Sequence, residues 1–176
     1  MNLFHQQFIM RLGGKNENFF TKISYIFFYY YCDNFINFNL HFIKMTKEFE
    51  QISIKPGFMK HNGGVLFRTI SETESEFKST INKNHLNAIG ITHGGYLSAL
   101  IDSGAGTAAH RAAGNVPCVT ISLDIKFIGT SKEGDEIVGH TRVLKKTKTL
   151  VFLFCELRCD KKIITSASGI WKILKK

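Results

Sequence analysis

One stretch of the chain places reactive side chains at a spacing that chemistry could use. It reads Asn87-x-x-Gly90-x-x-His93-Gly94-Gly95, with Asp102 nine residues after His93 and Ser122 further on. Glycines let a backbone approach a ligand closely and take φ values that other residues avoid. The first N–H groups of a helix lack internal partners and, with the helix dipole, favour developing negative charge. A Gly94 N–H at a helix start therefore fits one donor of an oxyanion hole. The same glycines also suit a plain loop-to-helix turn. The Asn87 amide could be a second donor to the same oxygen, or the cap of its own loop. His93 reads as an orienting or hydrogen-bonding group rather than a proton carrier.

Asp102 stands in Leu100-Ile101-Asp102-Ser103-Gly104, inside an otherwise apolar helical segment. A buried carboxylate without a partner is costly, and Ser98 and Gly106 at the i±4 positions supply no cation. Hydrogen bonds to serine or backbone groups would satisfy it. Alternatively, burial raises it from ~3.9 toward the range of a general base. Ser122 lies on the polar side of the following strand, where it either shares a water with Asp102 or faces solvent. The nine residues from His93 to Asp102 turn a helix by about 900° and climb ~13 Å. Asp102 and the Gly94 N–H thus cannot serve one small substrate within one chain. A symmetric dimer with reversed, side-by-side helices would bring one chain's helix start to the other chain's Asp102.

The elements that must hold these residues can be read from periodicity. Residues 94–112 are helical, with Leu97, Leu100, Ile101, Ala105 and Ala108 at three-and-four spacing. The opposite face is Ala, Gly and Ser, which predicts a helix buried nearly all round. Gly114-Asn115 and Pro117 end it. Residues 47–55 read as a lead-in or short helix, and 83–91 as a loop. Residues 65–71 and 76–81 read as a hairpin or as two parts of one strand, divided by the polar stretch 71–75. Four strands follow, at 118–128, 136–145, 150–159 and 162–174, with Gly169 marking a bulge. Short connections favour antiparallel pairing, giving a four-strand meander. The expected architecture is α+β, an antiparallel sheet wrapped around one long central helix.

Composition narrows the classes. A net charge of +9 is compatible with nucleic acid, a membrane surface or a phosphorylated small molecule. A nucleic-acid module fits poorly, because residues 45–176 do not interleave stacking aromatics with arginine. The four cysteines form no CxxC pair and no zinc spacing. They read as reduced thiols of a cytoplasmic protein, with no metal site. Residues 1–44 differ from the rest: they carry NFF, YIFFYYYC and NFINFNLHF among Asn and Lys. Their apolar run, 23–32, is short of the ~20 residues that span a bilayer, so no transmembrane segment is expected. Three readings stay open: upstream sequence translated ahead of a start at Met45, a membrane-associating tail, or an extra structural element. Residues 45–176 form the domain.

The run Asn87-x-x-Gly90-x-x-His93-Gly94-Gly95 followed by Asp102, with Ser122 in TISLDIKF, resembles the hotdog-fold acyl-CoA thioesterases. Within them it is similar to the PaaI-like group that includes thioesterase superfamily member 2. The resemblance covers residues 45–176 and has no counterpart for the leader. It implies an acyl-CoA thioesterase working as a homodimer or a dimer of dimers, with no metal or redox cofactor. On that resemblance Gly94 N–H and Asn87 polarise the thioester carbonyl, and His93 supports the loop. Asp102 of the partner chain activates water with help from Ser122, or attacks directly to give an anhydride. Gly95 and the basic turn Lys145, Lys146, Lys148 and Thr149 match positions that meet CoA, and lysines suit phosphate as point charges. A hotdog enoyl-CoA hydratase or dehydratase and a non-catalytic acyl-CoA binder are the competing readings.

Overall fold

The computed structural model describes residues 48–174, and the expectations for residues 1–44 lie outside that range. In chain order the elements are β1 (Glu50–Gln51), α1 (Phe58–His61), β2 (Leu66–Thr69), β3 (Glu74–Thr80), a 3-10 turn (Lys83–His85), α2 (Gly94–Ala112), β4 (Cys118–Phe127), β5 (Glu136–Lys146), β6 (Leu150–Cys159) and β7 (Lys162–Ile173). The strands make one 7-stranded sheet in the order β1-β2-β3-β5-β6-β7-β4, and every neighbouring pair is antiparallel. β2 and β3 form the expected hairpin. Ser71 Oγ accepts the Thr73 and Glu74 N–H groups in its turn. The lead-in at 47–55 holds the short strand β1 and no helix, α1 comes after it, and the loop after β3 contains the 3-10 turn.

Period-two burial fixes the inner face of the sheet. Ile137, Gly139 and Thr141 of β5 and Val151, Leu153, Cys155 and Leu157 of β6 are buried, while the residues between them are half-buried. α2 packs Tyr96, Leu97, Leu100, Ile101, Ala105 and Ala108 into the core. Two glycines let the helix come this close. A Cβ at Gly104 would lie 2.3 Å from the Phe77 ring, and one at Gly139 would lie 2.1 Å from it. Helix α2 stops where Gly114 and Asn115 turn left-handed, at φ 76° and 62°. The Asn115 N–H then returns to the His110 carbonyl at 2.9 Å.

Three expectations change. The four-strand meander is a three-strand one, β5-β6-β7, because β4 crosses to the far edge and pairs with β7. The segment that carries the chain across is tied to the loop before α2: the Ser131 carbonyl accepts the Thr92 N–H at 2.8 Å and its hydroxyl at 3.1 Å. Gly169 is not a bulge, since it pairs in register with Leu123 and Leu153. It is glycine because a Cβ there would meet the Trp171 ring at 2.6 Å. Against β4 the irregularity lies between Thr120 and Ser122, and β7 itself is irregular at Ile164, where its register with β6 shifts. Finally, α2 is not buried all round. Ala99, Ser103, Gly106, Thr107 and His110 are half-buried and Asp102 is exposed, so the chain's own sheet leaves that helix face partly open.

Candidate active site

The loop before α2 is built around Asn87. Its side-chain Oδ1 accepts the N–H groups of Ile89 at 3.1 Å and Ile91 at 3.2 Å. Its backbone N–H donates to the Ile91 carbonyl at 2.8 Å, and its carbonyl accepts the Gly90 N–H at 3.0 Å. The Gly90 φ of 80° closes this turn, which accounts for glycine at that place in the motif. Asn87 therefore does cap its loop. Because both N–H groups must meet an oxygen, the amide nitrogen is the end left free to donate. It makes no hydrogen bond among the described residues.

His93 is the N-cap of α2, and its Nδ1 accepts the Gly95 N–H at 2.8 Å. That bond consumes the Gly95 donor and fixes the neutral ring with its proton on Nε2. The Gly94 N–H comes first in the helix and meets no acceptor among the described loop residues. The Phe127 ring closes one side of it: a Cβ at Gly94 would sit 3.2 Å from that ring. Sequence reading did not single out Phe127, whose only signal is its place on the apolar side of β4.

Asp102 is exposed, and Thr120 Oγ1 donates to its Oδ1 at 2.5 Å. The expected burial of this carboxylate does not occur within one chain, because it stands on the open face of α2. Ser122 is not the hydroxyl brought to it. Cross-strand partners share a face, and Thr120 pairs with buried Trp171 whereas Ser122 pairs with Ile170. The shift between them puts Thr120 on the helix side together with Leu123, Ile125 and Phe127. Ser122, Asp124 and Lys126 take the other face. Thr120 had the same polar-side signal as Ser122; the shift that separates them leaves no trace in the alternation.

Asp102 and Gly94 lie on one continuous helix, ~12 Å apart along its axis. The basic turn lies at the helix's other end. Lys145 and Lys146 finish β5, Lys148 and Thr149 are in the turn, and all four are exposed. Lys146 Nζ donates to the carbonyl of Ala112, the last helical residue, at 3.0 Å. A cavity of about 500 Å³ opens beside the Asn87 loop, lined by Ile91, Thr130, Lys132, Lys162 and Ile164 among others. Neither Gly94 nor Asp102 lines it.

A family model described as the thioesterase superfamily matches residues 89–165. A Pseudomonas aeruginosa protein named as an esterase is 36% identical over 94 residues, covering 53% of this chain and 70% of its own. Human acyl-coenzyme A thioesterase 13 is 34% identical over 77 residues, which cover 44% of this chain and 55% of that enzyme. The crystal structure of zebra fish thioesterase superfamily member 2 superposes with a TM-score of 0.63 at 22% identity, covering 69% of this chain and 90% of that one. At that identity the likeness carries the fold, which is the hotdog fold: an antiparallel sheet around one long helix. The chain belongs to the thioesterase superfamily.

Proposed function

We propose that this thioester hydrolase acts on acyl-CoA, giving free carboxylic acid and CoA. The observation that carries the reading is the start of α2. There a helix N–H without an acceptor among the described residues lies beyond a loop that pins Asn87 with its amide nitrogen free. These two donors hold the thioester oxygen and stabilise the charge that grows on it. Asp102 of the partner chain takes a proton from water as its oxygen attacks the carbonyl carbon. The C–S bond then breaks, CoA leaves as thiolate and is protonated, and the acid is released. Attack by the Asp102 carboxylate itself, with hydrolysis of the resulting anhydride, is the variant of this path.

The assembly in this proposal is a homodimer, paired again into a dimer of dimers. Its support is the half-open face of α2 that carries Asp102. Reversed helices also put one chain's Lys145, Lys146, Lys148 and Thr149 near the other chain's Gly94, where CoA phosphates would need them. Within the chain Thr120 orients Asp102, and Ser122 is the second candidate for the water. Among the described residues no helix is long and apolar enough to cross a membrane. Cys118, Cys155 and Cys159 are free thiols, which supports a cytoplasmic location.

Thiol release from a panel of acyl-CoAs tests the activity. Turnover is expected with wild type, and Asp102→Ala should lose ~10²–10⁴-fold in kcat, the range of general-base catalysis. Unchanged hydrolysis in that variant, or hydration of an enoyl-CoA without thiol release, would overturn the mechanism.

A further inference from the structure

A second histidine lies behind the oxyanion loop. His85 is 1% exposed, and its ring stacks on Tyr96 with centroids 3.6 Å apart and planes 8° from parallel. Its Nδ1 accepts the Asn82 N–H at 3.1 Å, and its Nε2 lies 3.0 Å from the Asn62 carbonyl. A backbone N–H only donates and a carbonyl only accepts. The ring is therefore neutral, bare at Nδ1 and protonated at Nε2. Its backbone carbonyl accepts the His93 N–H at 2.7 Å. Tyr96, in turn, is held by its hydroxyl 2.7 Å from Ser79 Oγ. His85 thus grips the residue just before Gly94 and the one two places after it.

We propose that His85 is a positioning residue: its neutral imidazole holds the Gly94 N–H in place, and a second proton releases the loop, switching the site off in acid. The proposal rests on the hydrolase reading of Gly94. A proton on Nδ1 sets donor against donor at Asn82. It also places a cation among buried groups where, among the described residues, no carboxylate bonds the ring. The titratable groups nearest the ring on the elements packed around it are Lys60 and His61 of α1, Lys83 of its own turn, and His93 and Tyr96 at the start of α2, while Asp102 lies six residues further along α2 and accepts from Thr120. The first four are exposed, and none of the five is anionic near neutral pH. Asp135, whose backbone meets Ile81, turns its carboxylate to the Lys132 N–H and the Cys159 thiol. Burial accordingly pushes the His85 ring below the usual histidine range, partly opposed by the Asn62 carbonyl.

The sign follows from linkage. In an opened loop the ring takes its proton near ~6.5, and in the closed loop at a lower pH. Between those values the open form binds more protons, so closure is complete above ~6.5 and weakens as pH falls toward the closed-state value. The experiment compares kcat and kcat/KM against pH for wild type and His85→Gln. A carboxamide can accept from Asn82 and donate to Asn62, and it does not titrate in this range. The acid limb of kcat should move at least about one pH unit lower in the variant, with kcat near pH 8 within ~tenfold of wild type. A purely structural role would lower kcat equally at every pH, and an unmoved acid limb would overturn the switch. Should His85→Gln not fold, imidazole NMR of the wild-type chain decides. A neutral Nε2–H ring persisting well below ~6.5 supports the lock, whereas ordinary titration at that value overturns it. Absence of thiol release from wild type at any pH would instead count against the hydrolase reading, and the NMR titration would still report on His85.

Discussion

At the scale of single residues, the candidate site is a matter of which hydrogen-bonding end is already used. Asn87 spends its oxygen on Ile89 and Ile91, and His93 spends Nδ1 on Gly95. What is left to donate is the Asn87 amide and the Gly94 N–H. The motif made these residues legible in the sequence, but not the division of labour inside each side chain, which depends on how the loop closes. Asp102 shows the same limit. Sequence offered serine or backbone as its partner, and the structure supplies Thr120. Thr120→Val keeps the shape and removes the donor. It should lower kcat about tenfold, the equivalent of ~1.4 kcal/mol, with KM nearly unchanged. Ser122→Ala, on the opposite face of β4, should cost less than half as much in free energy. A larger loss in Ser122→Ala than in Thr120→Val would show that the water sits on the Ser122 side, supplied by a surface outside the single chain.

At the scale of elements, α2 was legible end to end. Its apolar spacing, its glycine start and the Gly114-Asn115 stop are local signals, and local hydrogen bonds enforce them. Strand spans were nearly as clear. The sheet order was not, because an alternating pattern says which residues share a face and nothing about which strand lies alongside. β4 carries the same alternation as an inner strand yet, among the described residues, pairs with β7 alone, at the sheet edge. The shift at Ile121 was hidden for a related reason: an extra residue changes the face of everything beyond it without altering composition. The helix glycines give a stability test. Gly104→Ala drives a methyl into the Phe77 ring, 2.3 Å away, inside a closed core. Overpacking of this kind costs ~1–3 kcal/mol, which the ~1 kcal/mol of helix propensity that alanine gains at either glycine offsets only in part. Gly106→Ala meets only Trp171 Nε1, at 3.3 Å, on the half-buried side, and the helix gains ~1 kcal/mol of propensity. Thermal melts should place Gly104→Ala several degrees below wild type and Gly106→Ala close to it. Equal melting temperatures for the two variants would mean that the helix does not lie this tightly on β3 and β5.

At the scale of the whole molecule, the question is whether one chain can complete a site. Gly94 and Asp102 are ~12 Å apart along a rigid helix, and the basic turn lies beyond Asp102 at the helix's far end. A thioester carbonyl and its attacking water must sit within about 3–3.5 Å of each other. In the proposed mechanism one chain thus presents two half-sites, and the half-open face of α2 is where a second chain would add the missing halves. Mixing two inactive variants measures this directly. Asn87→Asp keeps the oxygen that caps the loop and removes the amide donor, while Asp102→Asn keeps the shape and removes the base. Each alone should be nearly inactive. After co-expression, about half of the dimers are mixed, and each mixed dimer holds one site with both residues intact. Roughly a quarter of wild-type kcat per site should return under this isologous pairing. If each chain instead used its own Asn87 and Asp102, every site in the mixture would carry one defect and no activity would return. Thiol release from the co-purified mixture separates these outcomes without any knowledge of the preferred acyl chain.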